Sequence, residues 1–288
     1  MQAWHQKNLL DPEFPFLLFL SDDLEFPPHW HDEMELLYVL EGELQVGLAR
    51  EIHTLASRDI LIIGGGEVHY FLNNPAKVKS RVAILQFGLK LFDSLSPVMG
   101  NRRFLEPHIT QGRPEQQPAG SSLNNTLSAM VSEYINKQEG YQLAMKARLY
   151  DLLVTLLREI PHEACSDIQR RKQLSRLRRL EQVFRFVDEN YSTDIGLQDA
   201  ASVASFSVYH FTRFFKEATG MTFGQYLSGV RIRKAQEYLL STGDSVTEVA
   251  FRVGFNSIKT FNRLFRNEAG CSPTDYRCGR HLKQGRGQ

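Results

Sequence analysis

At 288 residues the chain is long enough for about two domains of ordinary size. Its composition, 42% hydrophobic and 23% charged, is that of an ordinary globular protein, and no apolar run reaches the ~18 residues that a membrane helix needs. The net charge of +1 hides an asymmetry: residues 167–288 hold 20 Lys and Arg against 12 Asp and Glu, whereas residues 1–166 hold 14 against 21. A basic half fused to an acidic half fits one nucleic-acid-binding domain and one domain with another task.

Residues from about 14 to 90 read as short strands. Glu35–Leu40 precedes the turn signal Glu41-Gly42, and Glu43–Leu48 follows it. Asp59–Ile63 runs into Gly64-Gly65-Gly66, and Arg81–Phe87 is a further strand. Short strands at near-regular spacing with glycine-rich turns argue for a sandwich or barrel. From Ser121 the period becomes helical, first in Leu123, Leu127, Met130, Val131, Tyr134 and Ile135. It resumes in Ala144, Ala147, Tyr150, Leu153, Val154 and Leu157, with Gln138-Glu139-Gly140 between the two runs. That is an αα-hairpin, which must hide its apolar face on the barrel or on a partner. Pro161–Asp167 breaks the pattern. The expected organisation is therefore α+β and multidomain: a β-barrel over 1–110, a helical hairpin over 111–160, a linker over 161–173 and an all-α domain over 174–280.

The last hundred residues repeat themselves. Phe211-Thr212-Arg213-Phe214-Phe215-Lys216 returns 50 positions later as Phe261-Asn262-Arg263-Leu264-Phe265-Arg266, and Gly220 and Tyr226 return as Gly270 and Tyr276. Upstream, Leu197–Ala201 pairs with Val246–Ala250 at an offset of 49. A short apolar helix, a turn and a basic helix, given twice, read as two helix-turn-helix units. Ser207 and Ser257 stand where helix N-caps are wanted. Phe211, Phe214 and Phe215 share one face, leaving Tyr209, Thr212, Arg213 and Lys216 outward. In the second unit Phe261, Leu264 and Phe265 face inward, and Ile258, Lys259, Asn262, Arg263 and Arg266 face out. Arg, Lys, Asn and Thr at a helix N-terminus supply the donors and acceptors that read a major groove. The helix Gln225–Leu240 joins the units.

Residues 174–278 resemble the AraC/XylS-type bacterial transcriptional regulators. The most specific stretches are Val249–Phe255, Phe261–Arg266 and Gly270–Arg277. The resemblance implies base contacts from Tyr209, Thr212 and Arg213 in one unit and from Ile258, Lys259, Asn262 and Arg263 in the other. Two positions depart from the family pattern. Ser205 stands where glycine is usual, which strains a turn that needs positive φ. Ile258 is apolar where a polar reader is common, and would meet a thymine methyl.

In the N-terminal half, His29-Trp30-His31, Glu35 and Gly42 resemble the first metal motif of the cupins. Gly66, His69 and Asn73 resemble the second. The resemblance implies four ligand positions, His29, His31, Glu35 and His69, and residues two apart on a strand do share a face. Three imidazoles and a carboxylate suit a divalent transition metal. The same groups would equally line a polar effector pocket, with Trp30, Tyr38, Phe71 and Phe87 as aromatic walls. No other cofactor is expected.

The expectation is a ligand-responsive transcription factor rather than an enzyme. Its partners are promoter DNA, a small effector of which a sugar or sugar derivative is the leading class, RNA polymerase if it activates, and a second copy through the hairpin. The alternative is a metal-dependent cupin enzyme fused to a DNA-binding module. A third reading makes the barrel a scaffold only. Cys165, Cys271 and Cys278 are odd in number and lack metal spacing. With no leader pattern at the N-terminus, they lead to the expectation of a reduced, cytoplasmic protein with no membrane partner.

Overall fold

The computed structural model describes residues 16–22, 24–48, 51–72, 79–88, 102–110 and 117–279. The chain divides into two compact units, Met1–Leu177 and Arg178–Gln288. No helix among the described residues is long and apolar enough to cross a membrane.

The first unit is built on two antiparallel sheets. Strands β1 (Phe16–Asp22), β3 (Met34–Glu41), β6 (Ile60–Ile63), β8 (Arg81–Phe87) and β10 (His108–Ile109) form one, in the order β1-β8-β3-β6-β10. Strands β2 (Phe26–His29), β4 (Glu43–Leu48), β5 (Glu51–Ala56) and β7 (His69–Leu72) form the other, in the order β2-β7-β4-β5. Side chains alternate across a strand, so each face of the larger sheet has its own core. Leu37, Val39, Leu61, Ile63, Val82 and Ile84 meet Leu44, Val46, Leu48, Leu55 and Phe71 of the smaller sheet. Leu36, Tyr38, Ile60, Ile62, Leu85 and Phe87 face the opposite way.

That second face is covered by the expected hairpin, helices α1 (Gln117–Asn136) and α2 (Tyr141–Glu159). Gly140, at φ +80°, makes the turn into α2. Leu123, Leu127, Met130, Leu149, Leu152 and Leu156 are at most 2% exposed in the shared core. Full burial of each such side chain contributes on the order of 1.5–3 kcal/mol, enough to hold the hairpin on the sheet without a partner.

The stretch 161–173 is not a free connector. Strand β11 (His162–Ala164) pairs with β9 (Arg102–Phe104), and helix α3 (Asp167–Asn190) has already begun at Asp167. The sequence pattern missed the start of α3 because residues 166–176 are exposed on all sides and carry no apolar stripe.

The second unit is helical: α4 (Leu197–Val203), α5 (Val208–Thr219), α6 (Phe223–Ser241), α7 (Val246–Arg252), α8 (Ile258–Ala269) and α9 (Pro273–Arg277) follow the end of α3. The sequence repeat becomes a repeat of packing. Phe211 and Phe215 lie 5.5 Å apart between ring centres, as do Phe261 and Phe265. Phe215 meets Tyr226 at 5.6 Å and Phe265 meets Tyr276 at 5.5 Å, both edge-on. Both basic helices end on a left-handed glycine, Gly220 at φ +73° and Gly270 at φ +70°.

The turns within the pairs differ. Gly254 adopts φ +92°, and the equivalent Ser205 is forced to φ +55°. A side chain in that region costs roughly 1–2 kcal/mol, partly offset because glycine gives the unfolded chain more freedom. Ser205→Gly is therefore expected to stabilise the helical unit by about 0.5–1 kcal/mol in urea denaturation of the full chain. Gly254→Ala should cost ~2 kcal/mol or more, since its Cβ would stand 2.6 Å from the Tyr191 carbonyl oxygen.

Candidate DNA-reading helices and a buried histidine site

Helices α5 and α8 begin alike. The Ser207 hydroxyl accepts from the His210 amide and the Ser257 hydroxyl from the Thr260 amide, as expected of N-caps. Three phenylalanines hold α5 in the core, and Tyr209 (75% exposed), Thr212, Arg213 and Lys216 stand on its free face. On α8, Lys259, Asn262, Arg263 and Arg266 are exposed. Ile258 differs from expectation: it is half-buried and packs against the core of the second pair. At the first helical residue the apolar side chain divides its surface between this core and solvent.

The free faces are not equivalent. Arg213 Nε donates to Glu217 Oε1 at 2.9 Å, one turn along α5. The matching position on α8 is Asn267, which offers no charge. Arg213 is exposed, so this brace is screened by solvent and weak.

Two arginines outside both helix pairs tie down connecting segments, one the turn of the first pair and the other the stretch between α3 and α4. Arg179 donates to the Ala204 carbonyl at 2.8 Å and lies over the Phe206 ring at 4.5 Å. Arg231 donates to the carbonyls of Tyr191 at 2.7 Å and Thr193 at 2.8 Å. Both lie outside the repeated motif, which is why sequence reasoning passed over them.

In the first unit, strand pairing assembles the second site. His29 of β2 is opposite His69 of β7, and Glu35 of β3 is opposite Gln86 of β8. His31 follows β2. All five side chains are buried, at 4% exposure or less. Each imidazole is oriented through Nδ1, facing the carbonyls of Pro27 (2.9 Å), Glu33 (3.0 Å) and Glu67 (3.0 Å) for His29, His31 and His69. Donation there leaves Nε2 for the interior, and the three rings offer ligand atoms within 4.8 Å of one another.

Glu35 completes the cluster. Its Oε2 accepts from Gln86 Nε2 at 2.6 Å and lies 3.1 Å from His31 Nε2. Burial alone would raise the Glu35 pKa, but the neighbouring His69 and the hydrogen bond and charge of His31 hold it down to about 2. Burial also opposes charge on His31. There the hydrogen bond to Glu35, with the charges of Glu35 and Glu33, wins and raises the pKa. Burial lowers the pKa of both His29 and His69. Of the three imidazoles, His31 is the one whose charged form Glu35 favours over burial. Glu35 Oε1 and His69 Nε2 are left 3.6 Å apart, each buried and without a hydrogen-bond partner.

The aromatic wall differs in part from expectation. Phe71 is in place, 5.9 Å from the His29 ring and 5.8 Å from that of His69. Tyr38 and Phe87 are not in the site. Both belong to the opposite face of the larger sheet, and the Tyr38 hydroxyl bonds Ser128 of α1 at 3.0 Å. Each is one residue out of phase with the inward positions Leu37 and Gln86. Trp30 is buried at the position between the two histidines, where alternation points it away from their shared face. Phe26, 4.5 Å from the His29 ring, and Gln86 take part without having been singled out. Gln86 had a signal, as the polar residue on the Val82-Ile84 face of an otherwise apolar strand. Asn73 lies outside the described residues.

A helical unit with duplicated, exposed polar helices and a sheet unit with a buried polar site define a DNA-binding regulator with an attached ligand-binding domain. Comparison with known families places it. Residues 20–153 match the AraC-like ligand binding domain, and residues 200–278 match a helix-turn-helix domain. The chain is 28% identical to the HTH-type transcriptional activator RhaS of Klebsiella pneumoniae, over 88% of each chain. It is 27% identical to the HTH-type transcriptional activator RhaR of Mannheimia succiniciproducens, over 88% of this chain and 87% of that one. Among solved structures, the C-terminal domain of AraT, a response regulator from Geobacillus stearothermophilus, is 29% identical, covering 35% of this chain and 84% of that chain at a TM-score of 0.34. The chain belongs to the AraC-type transcriptional regulators, with a cupin-like ligand-binding domain ahead of the helix-turn-helix domain.

Arg263→Ala is expected to weaken operator binding by ~1–3 kcal/mol with folding unchanged, because a bidentate base contact is of that size. Lys216→Ala should instead weaken binding to all sequences alike and lower the salt slope by about 1, measured by fluorescence anisotropy across a salt series.

Proposed function

We propose that this protein is an effector-responsive regulator that places α5 and α8 in successive major grooves of promoter DNA. The observation that carries this reading is the pair of matching helices, each N-capped by serine and each with a polar, exposed face. Helix α6, which joins the two pairs, has 19 residues, or about 28 Å at the usual rise. That suits two helices set near the ~34 Å spacing of successive grooves. Tyr209, Thr212, Arg213, Lys259, Asn262 and Arg263 read bases in this scheme, and Lys216 and Arg266 neutralise phosphates.

The first unit supplies the control. Imidazoles, a carboxylate and a carboxamide beside the rings of Phe26 and Phe71 suit a hydroxylated ligand, for which a sugar or sugar derivative is the proposed class. The protein acts in the cytoplasm as a homodimer, and it contacts RNA polymerase where it activates. The surface of α2 supports the dimer. Leu143, Tyr150 and Val154, exposed at 74%, 49% and 42%, fall at helical spacings of seven and four, on the side turned away from the core.

The experiment is a salt-controlled binding assay on the DNA upstream of the gene, with and without a panel of sugars. Specific binding that shifts about 5–150-fold with one compound is the expected result. Specific binding indifferent to every compound would sink the sugar assignment and keep the DNA-binding one.

A second reading is favoured by Glu35 Oε1 and His69 Nε2. Two buried acceptors facing each other at 3.6 Å lack the positive charge or proton that would satisfy both. A divalent transition metal held by His29, His31, His69 and Glu35 would satisfy them. Such an ion supplies open coordination positions for ligand oxygens. Protein purified without a histidine tag should then carry about one equivalent of metal by mass spectrometry, reduced to background in His69→Ala. A metal-free wild-type protein would remove this reading.

A further inference from the structure

The turn between β6 and β7 is bonded on two sides. On one it holds the histidine site: the Gly66 amide donates to the His31 carbonyl at 2.8 Å, and the Glu67 carbonyl faces His69 Nδ1 at 3.0 Å. The half-buried Glu67 carboxylate closes the turn by accepting from the Gly64 amide at 2.7 Å. On the other side it meets helix α3. Gln173 Nε2 donates to the Gly66 carbonyl at 3.1 Å. A Cβ on Gly66 would stand 3.3 Å from Leu177 Cδ1 and 3.4 Å from Gln173 Nε2. Gly66 therefore has its N–H committed to the histidine side and its C=O committed to the helix. Its φ of +77° sets the two groups in these directions, in a region that suits glycine.

The start of α3 carries no apolar stripe. Residues 166–176 are exposed on every face, including Ile168 at 68% and Leu174 at 47%. The buried positions of the helix begin only at Leu180 and continue through Val183, Phe184 and Val187. A helical segment without an apolar stripe has low local stability, so a polar contact such as that of Gln173 with Gly66 bears on its order.

We infer that residues 167–177 of α3 report the state of the histidine site through the Gly64–Glu67 turn. The inference rests on reading His29, His31 and His69 as a ligand site, and it adds how that site is read. A ligand that draws the Nε2 atoms of His31 and His69 to one centre fixes both ends of the turn. The Gly66 carbonyl is then held where Gln173 bonds it, and the start of α3 stays ordered. An unliganded site leaves the turn free to shift, and the segment frays. The same helix continues into the helical unit, so ligand state changes the order of the chain that leads there. Coupling of this kind is reciprocal: the α3 contacts must also strengthen ligand binding.

Hydrogen exchange on the full chain tests this with two arms. The first needs no ligand. His69→Ala removes the ring that Glu67 holds, and should raise amide exchange across 167–177 about threefold or more, with strands β1 and β5, which do not pair with β7, unchanged as the control. Gln173→Ala should do the same from the helix side without touching the site. If His69→Ala leaves 167–177 at the wild-type rate while the control strands stay folded, the inference is overturned, whatever the site binds. The second arm uses Zn²⁺ alone as probe. Binding accompanied by slower exchange at 29–35 and also at 167–177, the latter lost in Gln173→Ala, supports the coupling. Protection confined to 29–35 overturns it. If Zn²⁺ does not bind, the metal reading fails and the variant arm still decides the coupling.

Discussion

The period of two residues along β3 and β8 is the constraint on which the first unit depends. With Glu35 opposite Gln86, every odd position of β3 and every even position of β8 faces the smaller sheet. The same register sends Leu36, Tyr38, Leu85 and Phe87 to the helical hairpin. A slip of one residue would carry a carboxylate into the hairpin core and set Phe87 among the histidines. Neither is tolerable: an unpaired buried charge costs several kcal/mol, and removing Phe87 from the hairpin core leaves a cavity. The polar site and the apolar platform thus fix one another's register.

Three backbone carbonyls, those of Pro27, Glu33 and Glu67, each hold one imidazole through Nδ1. The lone pairs that face inward are therefore set by main chain rather than by soft side-chain contacts. Two of the three carbonyls lie in the short segments just after His31 and just before His69. The glycine turn sits where the two segments meet, with the Gly66 amide bonded to the His31 carbonyl.

Much of the second unit was legible because it is written twice. Repetition turned weak signals, such as an arginine or a serine at one helical position, into a scaffold with defined inner and outer faces. The caps at Ser207 and Ser257 and the positive φ at Ser205 followed from local backbone chemistry. The half-burial of Ile258 was not legible, because period alone cannot say how far the first residue of a helix turns in. In the first unit the histidines were legible by spacing, but Tyr38 and Phe87 were not. An aromatic residue in a strand buried on both sides gives no sign of which core it joins. The start of α3 was invisible for the opposite reason, since a helix exposed all round leaves no periodic trace.

Helices α5 and α8 are anchored in the core by phenylalanines. Residues 166–176 are exposed and have no buried stripe. A segment left without a core of its own, beside a turn bonded to two histidines, has an order that small changes can shift. An equilibrium near balance responds to modest differences in binding free energy, whereas a strongly anchored helix would need about 5.5 kcal/mol to be moved from one extreme population to the other. If the histidine site binds the effector, as proposed, weak anchoring of this segment lets the state of that site shift the order of α3.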